Sequence, residues 1–199
     1  MSRHRPSWTR SVGGSRGAVV ALMVGGSLLA ACGSSSSGSS STTTAPSGSA
    51  SAAVLATTDA SSLGFPTIVQ AAKTTSVADQ KGCTRSVEAV YEDAAKKTGL
   101  VSDVLVCTSA SSASKALAAA RKKVTVDKAL VVPGQLGATA FATASDAPEY
   151  LMVWQSGSRV NITALDTDVS ATSSSPTSAL TPAQAQTLSS AAAKQNSLP

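Results

Sequence analysis

The feature that most limits what this chain can become lies near its start. Residues 1–16 carry Arg3, Arg5, Arg10 and Arg16 with no acidic residue, Gly17–Leu28 is an apolar run centred on Ala18-Val19-Val20-Ala21-Leu22-Met23-Val24, and Leu29-Ala30-Ala31-Cys32 closes it. A charged leader, a short apolar core and a small-residue exit have the layout of an export signal, here residues 1–31, with cleavage expected before Cys32. The apolar run is too short and too rich in glycine to span a bilayer, which takes about 20 apolar residues. The part expected to fold therefore follows Cys32 and stands outside the cytoplasm.

The formal net charge of +5 would suggest a nucleic-acid partner if it were spread over the folded part. Four of the 16 basic residues are the leader arginines, so 12 basic residues stand against 11 acidic ones in the remainder, a net charge of about +1. Without a concentrated cationic surface, counterion release from phosphate backbones has little to drive it, and no nucleic-acid partner is expected. The leader also contains His4, the single histidine. Its loss leaves no imidazole, which removes Ser-His-Asp and Cys-His catalysis and every His-ligated metal site. No cofactor and no metal are expected. Cys83 and Cys107 are the cysteines that remain after Cys32, and in an oxidising compartment an isolated pair of this kind is expected to form a disulfide.

From Gly33 to Ala53 the chain is Ser, Thr, Gly and Ala with a single Pro46. Such a stretch buries too little surface to offset the entropy of ordering it. Residues 32–60 are expected to be a disordered tether with a random-coil reach of about 25 Å. Residues 61–199 are expected to form one α+β domain, with folded structure starting near Leu63 or Phe65.

Residues 85–98 point two ways. Val87, Val90, Tyr91 and Ala94 fall at helical spacing, Glu92 and Asp93 precede Lys96 and Lys97 by four residues, and Gly99 is placed as a stop. Yet Val87, Ala89 and Tyr91 also alternate, and Lys97-Thr98-Gly99 could turn the chain into a strand over Leu100–Cys107. Either course returns Cys107 to the side of Cys83, in the hairpin by symmetry about Ala95. Ser111 or Ser112 is expected to cap a helix running to about Val124, with Ala113, Leu117, Ala120 and Val124 inward. Strands are expected over Val126–Val132 and over Leu136–Ala144, and Thr181-Pro182-Ala183-Gln184 is a capping box that opens a closing helix.

Glu149–Leu165 is the clearest hairpin. A turn at Ser156-Gly157 sets Val153 opposite Val160 and Leu151 opposite Ile162 on a core face. The opposite face carries Tyr150, Met152 and Trp154, with Arg159 across from Trp154 at cation–π range. Such a face is either covered by the chain's own helices or open to a ligand, and these four residues are the candidate binding face. Ser112-Ala113-Ser114-Lys115 matches the S-x-x-K of serine β-lactamases, and Lys97-Thr98-Gly99 their K-T-G, but in the wrong order along the chain. A capped helix is the simpler account. Asp146, Glu149, Asp166 and Asp168 lack the spacing and turn glycine of a calcium loop.

The stretch Leu29-Ala30-Ala31-Cys32 resembles the bacterial lipoprotein signal, or lipobox. Cys83 with Val90-Tyr91-Glu92-Asp93, Val104-Leu105-Val106-Cys107, Tyr150-Leu151-Met152-Val153-Trp154-Gln155 and Leu180-Thr181-Pro182-Ala183-Gln184 carry a resemblance to small actinobacterial lipoproteins. The domain is similar, more loosely, to the PsbP-like domain of mycobacterial lipoproteins and to the extracellular sensor domains of PknH-type kinases. The resemblance implies an α+β domain with an antiparallel sheet of about four to six strands packed against two or three helices, and favours the hairpin at residues 85–107. It implies a protein of the cell membrane, held on the extracytoplasmic face by acyl chains on Cys32. The expected function is a non-enzymatic module binding an apolar ligand or an envelope protein; the alternatives are a hydrolase of envelope polymers and a purely structural protein.

Overall fold

Cys83 and Cys107 stand directly opposite one another on neighbouring antiparallel strands, with 3.8 Å between their Cα atoms and a disulfide joining them. The computed structural model describes residues 50–77, 82–144, 149–167 and 180–199, all of one compact unit. Along the chain the elements are α1 (Thr57–Ser62), β1 (Thr67–Ser76), β2 (Cys83–Glu92), β3 (Gly99–Cys107), α2 (Ala110–Lys123), β4 (Phe141–Ala144), β5 (Glu149–Ser156), β6 (Arg159–Asp166) and α3 (Pro182–Asn196). The strands form one sheet in the order β1-β2-β3-β6-β5-β4, antiparallel at every pairing. This is the α+β fold expected: a six-stranded sheet, three helices and one disulfide.

Residues 85–92 are strand. Val87, Ala89 and Tyr91 alternate onto one face, and pairing on both sides outweighs a charge pattern that suits a helix. Asp93 and Lys96 are used in the turn instead. The Lys97 amide donates to Asp93 Oδ1 at 2.9 Å, and Lys96 adopts a left-handed φ of 55°.

Alternation divides the sheet into two faces, both covered. On one, Val87, Tyr91, Leu100, Val104, Met152, Trp154 and Leu165 pack against Leu188, Ala191 and Ala192 of α3 and against Ala53–Leu55 and Phe65. The other carries Leu105, Phe141, Val153, Val160 and Ile162. There α2 lies with Ala113, Ala116, Leu117 and Ala120 buried, and Arg121 sits 5.9 Å from the centre of the Phe141 ring. Both long helices are capped by side chains. In α2 the cap is Ser109, not the expected Ser111 or Ser112: Ser109 Oγ accepts from the Ser112 amide at 3.1 Å; in α3, as expected, Thr181 with Gln184 completes the capping box.

Three expectations are corrected. The tether was expected to reach residue 60, but folded structure is present from Ala50. Ala53, Val54, Leu55 and Ala60 are buried; the apolar pair Val54-Leu55 gives the segment surface to bury, and Leu55 is clipped on by its amide, which donates to Ser102 Oγ at 3.0 Å, and by its carbonyl, which accepts from the Tyr91 hydroxyl. The β5–β6 turn is Gly157-Ser158, because Gly157 takes the left-handed φ of 57° needed at its first position. That shift changes each cross-strand partner by two residues and leaves the faces unchanged: Val153 opposes Ile162, and Trp154 opposes Asn161. Finally, Val126–Val132 is not a strand. Only a bridge from Val126 to Thr143 forms, held by Thr143 Oγ1 donating to the Thr125 carbonyl at 2.7 Å. No helix among the described residues is long and apolar enough to cross a membrane.

Candidate functional site

The chemistry concentrated in this sheet lies on the α2 face, between β2 and β3. Glu88 and Asp103 are ladder partners, so both side chains project to the same side within about 5.5 Å at Cβ. Asp103 is 1% exposed and Glu88 8%. Each has one neutral side-chain donor: Ser86 Oγ donates to Asp103 Oδ1 at 2.6 Å, and Gln70 Nε2 donates to Glu88 Oε1 at 3.0 Å; the Val104 backbone also bonds to the Asp103 carboxyl. Gln70 sits between two irregularities in the β1–β2 register.

No described cation neutralises the pair. Lys73 stands opposite Glu88 on β1, exposed, and Lys194 is paired with Asp59 at 3.1 Å, on the other side of the sheet. Burial pushes the Asp103 carboxyl up to about 7; the Ser86 hydrogen bond opposes the shift and the neighbouring Glu88 adds to it. Glu88 is raised as well, by burial against the opposing Gln70 hydrogen bond. The pair can hold a proton that exposed carboxylates would release. With Asp103 sealed from solvent, it is poorly placed to pass that proton to a substrate.

The candidate binding face is corrected by its burial. Tyr150, Met152 and Trp154 lie in the main core, Trp154 is 0% exposed, and its Nε1 donates to Asn196 Oδ1 of α3 at 2.9 Å. An aromatic stripe in a sheet this small is needed by the closing helix, which has little but alanine and leucine to offer in return. Arg159 opposes Ser156, and its Nη1 donates to the Pro199 carbonyl. These residues hold the C-terminal helix to the sheet.

Cys83 and Cys107 are joined as expected, and Cys32 lies outside the described residues. Ser112 and Lys115 do not form a catalytic pair: the Ser112 hydroxyl is bonded to Ser109 at 3.0 Å and to Thr108 at 3.3 Å, within the cap of α2. Asp146 and Asp168 fall outside the described residues. Among those described, no group of three His, Cys, Asp or Glu is arranged to hold a metal. Sequence reasoning missed Glu88, Asp103, Ser86 and Gln70. The hairpin alone did not supply the signal: folding residues 83–107 about Ala95 pairs Cys83 with Cys107 but sets Glu88 against Ser102, and the register irregularity between Cys83 and Arg85 is what brings Glu88 opposite Asp103.

The large apolar side chains left exposed are Ile68 and Val69, on the edge strand β1, and Val131, which is 80% exposed. No known protein family, curated protein or solved structure matches the chain.

Proposed function

We propose that this is a lipid-anchored lipoprotein of the cell envelope, acylated at Cys32, displaying a non-enzymatic binding module on the extracytoplasmic face. The carrying observation is the Cys83–Cys107 disulfide within the central hairpin, which suits an oxidising compartment and agrees with an export signal ending at Cys32. A module that binds rather than catalyses is favoured by the absence of histidine after His4, by the use of Ser112 as a cap, and by the enclosure of the Glu88–Asp103 pair. The contact surface is β1. It is an edge strand of ten residues, largely exposed, with Lys73 as its only charge and no proline. An extended segment of an envelope protein is the partner it fits, since one further strand would satisfy the outer backbone groups of Lys73–Ser76, where the β1–β2 ladder is regular.

Intact mass of the full-length product, purified from host membranes with and without reduction, tests the address. The expected species begins at Cys32, carries acyl chains and gains about two hydrogens on reduction. An unacylated species with free thiols would sink the envelope assignment. Thr74→Pro, at a position whose N–H faces away from β2, is expected to abolish partner capture in crosslinking at the cell surface while leaving the melting temperature within a few degrees. Unchanged capture would place the contact elsewhere.

A further inference from the structure

We propose that Glu88 and Asp103 share a proton in the folded domain, and that losing it loosens the β2–β3 hairpin, making the domain a pH-responsive element that is tighter in acid than in alkali. The geometry carries this. Two carboxyl groups are ladder partners on one face of a continuous sheet, both buried, each with a single neutral side-chain donor. Two negative charges at that separation, away from water, repel one another and lose their hydration, and the remedy within reach is to keep a proton on one of them. Asp103 is also held from behind: its carbonyl accepts from Gln195 Nε2 of α3 at 3.1 Å, and Gln195 Oε1 in turn accepts from Thr163 Oγ1 at 2.7 Å. Movement of Asp103 is therefore felt on the opposite face, at the end of α3.

The surrounding charges do not remove the need for the proton. On β1 the facing residues are Gln70, already bonded to Glu88, and Lys73, exposed and unpaired with either carboxylate. On β6, Asp103 faces Ile162. Glu92, Asp166 and Glu149 lie further along the same face, each with interactions of its own, and add negative charge. From α2, Arg121 is placed over Phe141, and Lys115, Lys122 and Lys123 form no ion pair with Glu88 or Asp103 among the described residues.

The sign follows from linkage. An unfolded aspartate titrates at its ordinary 3.8 and Asp103 in the folded domain at about 7, so between those values the folded state holds a proton that the unfolded chain has released. Stability from this pair is complete below the lower value, declines as pH rises through the window and levels off above the upper one.

The test is thermal unfolding of the full-length chain from about pH 5 to about pH 8, with Asp103→Asn and Glu88→Gln alongside and the carbon-13 shifts of the Asp and Glu carboxyls followed by NMR. The expected result is a melting temperature that falls by about 5 °C or more across that range, a flat profile in Asp103→Asn and a shallower one in Glu88→Gln, with the Asp103 carboxyl titrating near neutrality. Asparagine keeps an oxygen to accept from Ser86. Should Asp103→Asn fail to fold, Glu88→Gln and the carboxyl titration of the native chain decide alone. A profile flat or rising in the native chain, a slope surviving in Asp103→Asn, or an Asp103 carboxyl titrating in the ordinary carboxylate range would each overturn the proposal.

Discussion

The two faces of the sheet are both buried and are held by different chemistry. On the α3 face the buried polar groups are neutral and reach outward to the elements covering them: Ser102 to Leu55, Thr163 to Gln195, Trp154 to Asn196. On the α2 face the polar groups at the β2–β3 pairing are ionisable and bonded within the sheet, Asp103 to Ser86 and Glu88 to Gln70. The first arrangement glues layers together at little risk, because a neutral hydrogen bond does not depend on pH. The second places charge where it costs most, and its stability depends on the solution outside. A buried polar group thus has opposite consequences according to whether it can ionise.

The comparison breaks most visibly at Trp154. Replacing it with alanine empties the centre of the α3 face and abandons Asn196, with an expected loss of about 4 kcal/mol in urea unfolding. Replacing Cys83 and Cys107 together with alanine is expected to cost about 3 kcal/mol by freeing the hairpin in the unfolded chain, seen as the difference between oxidised native protein and the double variant. On the α2 face the sign reverses: Asp103→Asn is expected to stabilise the domain at both pH 5 and pH 8, and by about 2 kcal/mol more at pH 8, as denaturation midpoints at the two pH values would show. The smallest effect concerns Asn161, buried opposite Trp154 with no hydrogen-bond partner for its Nδ2. Asn161→Leu is expected to gain about 1 kcal/mol, and a loss of that size would show that the amide is satisfied in solution.

Much of this fold was legible before any coordinates. The disulfide followed from cysteine number and compartment, the last helix from its capping box, and the faces of β5 and β6 from strict alternation over residues 149–165. Local signals failed where distant partners decide. Glu92, Asp93, Lys96 and Lys97 satisfy a helix rule that sheet pairing overrides, and Val54-Leu55 looks like the end of a tether until Ser102 and Tyr91 are brought to it. The candidate face was misjudged for a related reason. Alternation tells which side chains share a side, but not that α3 will close over Tyr150, Met152 and Trp154. The Glu88–Asp103 pair needed a register accurate to one residue across the β2–β3 turn.

The clip at Leu55 has a mechanical consequence. Any force applied to the chain ahead of Ala50 enters the domain through Ala50–Leu55, where the Leu55 amide and carbonyl are tied to Ser102 on β3 and Tyr91 on β2. Those two bonds lie close together and would bear the load first. Once they part, the segment through Phe65 is free to peel away and lengthen the chain, while Cys83–Cys107 keeps β2 and β3 from separating in turn. Under tension the protein would extend by one short step and then stop, as a safety strap does.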